Sequence, residues 1–298
     1  MSLTLAPRLR LRRTEFVWGS RTYIMGILNL TPDSFSGDGL LRQADFVAAA
    51  LAQAQTMLAE GADLLDLGGE STRPGSQPVP AEEELRRVLP VLRELRRLTE
   101  APLSVDTSKA AVAAACLEAG ADLINDVWGL RLDPDLAGVV AAAGAAVVLM
   151  HNRSTPKAAQ IDPRLGGRYV GIEYENLIED IKRELGISLE LAARAGIPDD
   201  RIILDPGLGF GKTVTQNLEL LNRLDAIKAL GYPLLVGASR KSFIGYTLNL
   251  PPEERDEGTA ATTAIAIVRG ADIVRVHNVR LNCRVARMTD AIVRPKNA

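Results

Sequence analysis

Eight short apolar segments, spaced so that a helix fits after each, constrain the fold of this chain most strongly. Their strings of Val, Ile and Leu are typical of parallel strands that are buried on both faces, and helical patterns of apolar residues follow them. Eight such units predict the α/β class and a (β/α)8 TIM barrel. An open doubly wound sheet is the alternative, but it does not require polar residues after all eight strands. The segments are 23–28, 63–67, 103–105, 123–124, 146–150, 202–204, 234–236 and 273–276.

The ends of the chain add little to the barrel. Residues 9–13 and 16–23 alternate around a polar turn and predict a short N-terminal β-hairpin that caps or plugs the barrel. One barrel domain can account for all 298 residues. We therefore expect one barrel domain over residues 1–298 rather than two domains, with the hairpin at 1–22, the barrel at 23–292 and a tail at 293–298.

Composition excludes several classes of function. The net charge of −2 offers no basic surface for nucleic acid or an anionic membrane. Two cysteines are too few for a disulfide scaffold or a four-cysteine metal site, which favours a reducing, cytoplasmic compartment. No run of 18 apolar residues occurs, and the first 13 residues lack the continuous apolar region of a signal peptide.

Polar residues at the strand ends are the candidates for chemistry, because the active site of a barrel lies at the carboxyl ends of its strands. Asp106, Asn125 and Asp205 offer two carboxylates and an amide, which suit a planar heterocycle that carries several N–H donors. Lys241 could donate to a carbonyl of the same ring. A second group offers donors and a hard oxygen, which suit a phosphate or pyrophosphate with Mg²⁺. That group consists of Asn29, Thr72, Arg73, Arg275 and His277.

Other interpretations stay open for some of these residues. Asp106 could instead cap the helix that follows it. The glycine-rich loop from Asp205 to Lys212 resembles a phosphate cradle only weakly, because its glycine spacing fits neither common nucleotide fingerprint. Lys212 is either an electrostatic partner of Asp205 or a support for that loop, and no partner for His151 can be named. The charged run 82–87 is interpreted as a solvated helix face.

Seven motifs, in order and on seven strand ends, together resemble the dihydropteroate synthases, folate-pathway enzymes of the pterin-binding barrel family. The resemblance runs from about residue 24 to 292. Two details depart from the family pattern: Gly37, Asp38 and Gly39 replace an Asp-Gly-Gly loop, and Asn278 stands where an aspartate commonly follows the histidine. The motifs lie at 26–36, 68–75, 104–107, 124–127, 205–212, 239–242 and 274–277.

The resemblance implies a role for each matching residue. For the pterin these are Asp106, Asn125, Met150, Asp205, Phe210 and Lys241; for pyrophosphate they are Asn29, Thr72, Arg73, Arg275 and His277. For p-aminobenzoate they are Phe35, Pro74, Ser239 and Lys241. The implied catalytic residues are Asp106, Asp205, Lys241, Arg275 and His277, and Asn29 is the implied ligand of Mg²⁺.

The resemblance also implies the reaction. 6-Hydroxymethyl-7,8-dihydropterin pyrophosphate is joined to p-aminobenzoate, and pyrophosphate departs to leave a stabilised pterin cation. Sulfonamides are expected to compete with p-aminobenzoate for its site. A homodimer is expected. A methyltetrahydrofolate-dependent methyltransferase shares the Asp/Asn/Asp contacts but has no use for Arg275 and His277. A non-catalytic pterin-binding homologue is expected to lose Asn29, Lys241 or the Arg-x-His pair, all of which are present.

Overall fold

An eight-stranded parallel sheet forms the body of the protein, in a computed structural model that describes residues 7–31, 43–72, 75–170 and 172–294. Its strands are β3 (Tyr23–Asn29), β4 (Leu64–Gly68), β5 (Leu103–Asp106), β6 (Leu123–Asp126), β7 (Ala146–Met150), β10 (Ile202–Asp205), β11 (Leu235–Val236) and β12 (Ile273–Val276). They are ordered β10-β7-β6-β5-β4-β3-β12-β11, and a parallel bridge between Leu204 of β10 and Leu234, the residue before β11, joins the two ends of this order. The predicted barrel is therefore confirmed.

Helices pack on the outer surface of the sheet, where the apolar side chains between the two layers form the larger core. The helix from Leu177 to Ala195 passes through Gly186 without a break. No helix within the described residues is both long and apolar enough to cross a bilayer. The helices are α1 (Gln43–Ala59), α2 (Ala81–Leu98), α3 (Ala110–Glu118), α4 (Leu136–Ala143), α5 (Leu177–Ala195), α6 (Val214–Asn222), α7 (Leu224–Lys228), α8 (Ser242–Leu248), α9 (Asp256–Val268) and α10 (Val279–Val293).

The predicted N-terminal hairpin is also confirmed, as β1 (Arg8–Leu11) paired with β2 (Thr14–Val17). Leu9, Leu11 and Phe16 of this hairpin are buried against the inward-facing apolar residues of the barrel strands. This smaller core fills the amino-terminal end of the barrel. The polar groups inside the barrel therefore lie toward its carboxyl-terminal end.

Strand alternation decides which residues face the inside of the barrel. In β4, Leu65 and Leu67 pack against the helices, whereas Leu64 belongs to the inner core. Asp66 follows the direction of Leu64 and is fully buried inside the barrel. Arg275 in β12 is directed inward for the same reason, between two outward-facing valines.

Two features were not expected from the sequence. The long connection after β7 contains a second hairpin, β8 (Ala159–Asp162) with β9 (Gly166–Tyr169). Glu84, within the charged run interpreted as solvated, is fully buried and accepts a hydrogen bond of 2.6 Å from Lys109 Nζ. A buried carboxylate requires such a partner, so this part of α2 binds the neighbouring β/α unit instead of water.

Candidate active site

Two carboxylates and a guanidinium form an ion-paired centre at the carboxyl end of the barrel. Arg275 Nε lies 2.6 Å from Asp66 Oδ2, and Arg275 Nη2 lies 2.8 Å from Asp106 Oδ2. Burial would lower the pKa of Arg275, but the two carboxylates raise it. Burial raises the pKa of Asp106 to about 7, with a further contribution from Asp66 and opposition from Arg275. Asp106 is therefore part of this centre, and the N-cap residue of α3 is Lys109 instead of Asp106.

Asn125 joins the same centre through Asp66. Its Nδ2 donates to Asp66 Oδ2 over 3.0 Å, and Ser104 Oγ donates to Asp66 Oδ1 over 2.5 Å. Because parallel strands β4, β5 and β6 are neighbours in register, their inward side chains meet at one level of the barrel. Sequence reasoning missed Asp66, although one charged residue inside an otherwise apolar strand is a signal that could have found it.

The last residue of β10, Asp205, is a third carboxylate of the site, and the loop that follows the strand holds it in place. Asp205 Oδ1 accepts a hydrogen bond of 2.7 Å from the backbone N–H of Gly207. Burial raises the pKa of Asp205, and the charge of Lys241 opposes that rise. Lys241 Nζ donates to the carbonyl of Leu208 and lies 4.5 Å from the centre of the Phe210 ring.

Lys241 links the two carboxylate groups electrostatically. Burial lowers the pKa of Lys241 to about 8, whereas Asp205 and Asp106 both act to raise it. Met150, the last residue of β7, is buried beside Asp205 in the strand register. The site thus has two carboxylates, on β5 and β10, that act on one lysine, with a thioether and an aromatic ring nearby.

Glycines of the loop after β10 allow this loop to approach other parts of the protein closely. Gly207 has a φ of +71°, and a Cβ there would stand 1.9 Å from the carbonyl oxygen of His151. Gly209 has a φ of +80°, and a Cβ there would stand 2.8 Å from Lys241 Cδ. Side chains larger than hydrogen are excluded at both positions. The loop therefore packs against His151, the residue after β7, and against Lys241.

Lys212, left open by the sequence, supports this loop. Its side chain is buried, and Nζ lies 2.8 Å from the carbonyl oxygen of Gly207, 3.0 Å from that of Phe210 and 2.9 Å from His151 Nδ1. Burial lowers the pKa of Lys212 well below its ordinary value, against the effect of Asp205. Three acceptors match the three hydrogens of an ammonium, so these bonds oppose the effect of burial and stabilise the charged form.

His151 connects Lys212 to a charged group on α5. Burial and the charge of Lys212 lower the pKa of His151 to about 3, so the ring is neutral and Nδ1 accepts from the ammonium. The ring proton then lies on Nε2, 3.1 Å from Glu184 Oε2 but poorly aligned with it. Burial would raise the pKa of Glu184, yet its contacts with His151 and Arg153 lower it to about 2.

A second cluster lies where β12 ends. His277 Nδ1 is 2.9 Å from Ser239 Oγ, and the backbone N–H of His277 donates to the same hydroxyl oxygen over 3.1 Å. The side-chain amide nitrogen of Asn29 lies 3.5 Å from His277 Nε2. The structure therefore brings together three of the residues expected at the anion and p-aminobenzoate sites. Thr72 is exposed after β4, whereas Phe35, Asp38, Arg73 and Pro74 lie outside the described residues.

The donor set does not form a self-contained metal site. Among the described residues, no group of three or more His, Cys, Asp or Glu side chains could hold an ion. Mg²⁺ usually binds through one or two protein oxygens together with substrate phosphates and water. One strand-end amide beside His277, as found at Asn29, fits that mode of binding.

Comparison with known proteins identifies the family to which this chain belongs. The model of the pterin binding enzyme family matches residues 25–277. The dihydropteroate synthase of Clostridium beijerinckii is 50% identical over 287 residues, which cover 96% of this chain and 100% of that protein. The Bacillus subtilis dihydropteroate synthase is 45% identical, over 92% of this chain and 89% of its own.

Solved structures give the same result. The crystal structure of the Clostridium difficile dihydropteroate synthase in the presence of pteroic acid superimposes with a TM-score of 0.85 at 47% identity, covering 93% of this chain and 98% of that one. The Yersinia pestis enzyme in a sulfonamide complex gives a TM-score of 0.85 at 42% identity, covering 96% and 98%. The chain therefore belongs to the dihydropteroate synthases, transferases of the pterin binding enzyme family.

Proposed function

We propose that the protein joins 6-hydroxymethyl-7,8-dihydropterin pyrophosphate to p-aminobenzoate, giving 7,8-dihydropteroate and pyrophosphate in folate biosynthesis. The observation that carries this proposal is the convergence of Asp106, Asn125 and Asp205 on one end of the barrel around Lys241. Acceptors that converge from several strands at one end of a barrel suit a flat ring with several N–H donors. The relatives named above support the same substrate class.

The pterin lies, in this proposal, between the Asp106 and Asp205 sides of the site. The carboxylates and Asn125 accept from the ring N–H groups, and Lys241 donates to the ring carbonyl. The apolar side chains of Met150 and Phe210 border the ring. Lys241 is available because its present acceptor is a backbone carbonyl, which a ring oxygen can replace.

Pyrophosphate departs toward the cluster at the end of β12. His277 and Asn29 offer donors there, and Arg275 reaches the same end of β12 from inside the barrel. We assign Thr72 and Arg73 to the same group because they follow β4, the strand next to β3. Arg275 also contacts Asp106, so this residue connects the pterin side of the site with the leaving-group side.

The chemistry begins with heterolysis of the bond between the exocyclic methylene carbon and the pyrophosphate oxygen, and both electrons go to the oxygen. The pterin ring delocalises the positive charge, and ionised Asp106 and Asp205 stabilise it electrostatically. The lone pair of the aniline nitrogen then forms the C–N bond, and one N–H proton is lost to solvent. Arg275 and His277 stabilise the charge of the leaving group.

Mg²⁺ is the cofactor that this arrangement fits, with Asn29 as the protein ligand. When bound, the ion supplies charge neutralisation of the pyrophosphate oxygens. Asn29 keeps its amide at the end of β3, within reach of His277. In this proposal Asn29 therefore helps to orient the pyrophosphate toward His277 and the other donors at the end of β12.

p-Aminobenzoate occupies the outer part of the site, bordered by Ser239 and Lys241 and by Phe35 and Pro74 of the first two loops. The structure of the Yersinia pestis relative carries a sulfonamide drug, and that of a Xanthomonas albilineans relative carries 4-aminobenzoic acid. Sulfonamides are accordingly proposed as competitors of the second substrate here. We also propose a cytoplasmic location, which suits the reduced state expected of its two cysteines.

A homodimer is proposed through the last two helices. α9 and α10 pack on each other and expose large apolar side chains, among them Ile265, Val268, Met288 and Ile292. Exposed apolar groups on adjacent helices are typical of protein–protein interfaces.

The reaction is tested by mixing the protein with the dihydropterin pyrophosphate, p-aminobenzoate and Mg²⁺ and following dihydropteroate by chromatography. Product that depends on both substrates is the expected result. Absence of product with correctly folded protein rejects the proposed function.

A further inference from the structure

Asp66 lies at the centre of the site and receives three donors, yet the roles proposed above do not include it. It is fully buried inside the barrel. Ser104 Oγ donates to Oδ1, whereas Asn125 Nδ2 and Arg275 Nε share Oδ2 at 3.0 and 2.6 Å. A buried carboxylate with three donors is held firmly by its surroundings and in turn orients each of them.

The first consequence concerns the amide of Asn125. An ionised carboxylate only accepts hydrogen bonds, so Asn125 must turn its Nδ2 toward Asp66. Its Oδ1 is then directed elsewhere and is left as an acceptor. Asp66 therefore decides that Asn125 offers an oxygen, not an N–H group, to a ligand.

The second consequence concerns the guanidinium of Arg275. Asp66 binds Nε, the nitrogen closest to the aliphatic chain, whereas Asp106 binds the terminal Nη2. Because Nε is anchored, the plane of the guanidinium is fixed, and the terminal Nη2 can exchange one hydrogen-bond acceptor for another. Arg275 can thus release Asp106 to a ring donor while it stays in place.

We propose that Asp66 is a positioning residue that orients the Asn125 amide as an acceptor and anchors Arg275 beside Asp106. This inference rests on the proposed function, since both partners are assigned there to the substrate. Asp66 itself acts through these two side chains and needs no contact with the substrate.

The test is the substitution Asp66→Asn, measured by calorimetry with 6-hydroxymethyl-7,8-dihydropterin. An amide at this position removes the negative charge that pairs with Arg275 and leaves one oxygen, instead of two, to accept from the three donors. We expect affinity to fall roughly 10- to 100-fold, as it does when one charge-assisted hydrogen bond is lost. The matched control is Asp272→Asn, which removes another buried, ion-paired carboxylate just before the amino end of β12. That variant loses stability but keeps its pterin affinity.

A double-mutant cycle separates positioning from general destabilisation. If Asp66 acts through Asn125, then Asp66→Asn costs much less affinity in an Asn125→Ala background than in the unsubstituted protein. Fully additive losses overturn the proposal. So does a crystal structure of Asp66→Asn in which the Asn125 amide and Arg275 keep their positions.

Two further measurements keep the outcome unambiguous. If Asp66→Asn does not fold, Ser104→Ala removes one donor to Asp66, and a several-fold loss of pterin affinity is expected; unchanged affinity overturns the proposal. Dihydropteroate formation by the unsubstituted protein is measured separately. Failure of that reaction rejects the proposed function, whereas unchanged pterin affinity in a folded Asp66→Asn rejects only the role of Asp66.

Discussion

Replacing Lys212 by methionine tests whether this lysine supports the β10 loop. Methionine preserves most of the volume of the side chain but removes the ammonium group. Three buried acceptors, the carbonyls of Gly207 and Phe210 and His151 Nδ1, then lose their donor. Each unsatisfied acceptor costs about 1 kcal/mol or more, so we expect the free energy of unfolding to fall by about 3 kcal/mol.

Part of that cost is offset, because burying an ammonium is itself unfavourable. The remaining loss is measured by urea unfolding at neutral pH. Lys182→Met is the matched control: Lys182 lies on α5 in a partly exposed pair with Glu179, and its loss should change stability by no more than about 0.5 kcal/mol.

The same substitution should weaken pterin binding, because the loop carries the N–H of Gly207 that binds Asp205 and the carbonyl of Leu208 that binds Lys241. A Lys212→Met protein as stable as the Lys182→Met control would refute the loop-support role. A stability loss with unchanged pterin affinity would confine that role to folding.

Further predictions concern charge, the pterin and assembly. Asp106, with a pKa raised to about 7, is fully ionised only above that pH, and Lys241, with a pKa lowered to about 8, keeps its charge only below that pH. Log kcat/KM for the pterin substrate should therefore rise with pH toward 7 and fall above 8; a flat profile from pH 6 to 9 contradicts these assignments. Asp205→Asn should weaken the pterin by about 2 kcal/mol in calorimetry, as expected for a buried charged acceptor, and unaltered affinity removes Asp205 from the pterin site. Met288→Asp, at a side chain that is 64% exposed on α10, should shift sedimentation from dimer toward monomer; a monomeric unsubstituted protein would refute the proposed interface.

Much of the site could be predicted because a barrel brings its strand ends together. Asp106, Asn125, Asp205 and Arg275 stand at or next to the ends of apolar strands, and parallel strands in register place them at one rim. Strand position alone was enough to separate them from the many charged residues of the helices. Strand position did not predict the hydrogen-bond partners of each side chain.

Asp66 illustrates what was missed. It lies inside β4, not after it, and its partner Arg275 is 209 positions away in the sequence. Lys212 likewise finds His151 61 positions away. No local pattern specifies such pairs, because they form only when distant strands become neighbours.

The sequence by itself determined the eight β/α units, the hairpin and the rim on which the polar strand-end residues meet. Local periodicity was sufficient for these, since apolar residues must be buried whatever their partners are. Only the tertiary structure decided that Asp66 orients Asn125. The same is true of the glycines after Asp205, which allow Lys241 and the residue after β7 to pack closely against the loop. The energy of a buried charge depends on the few atoms within hydrogen-bond distance, and those atoms come from other strands.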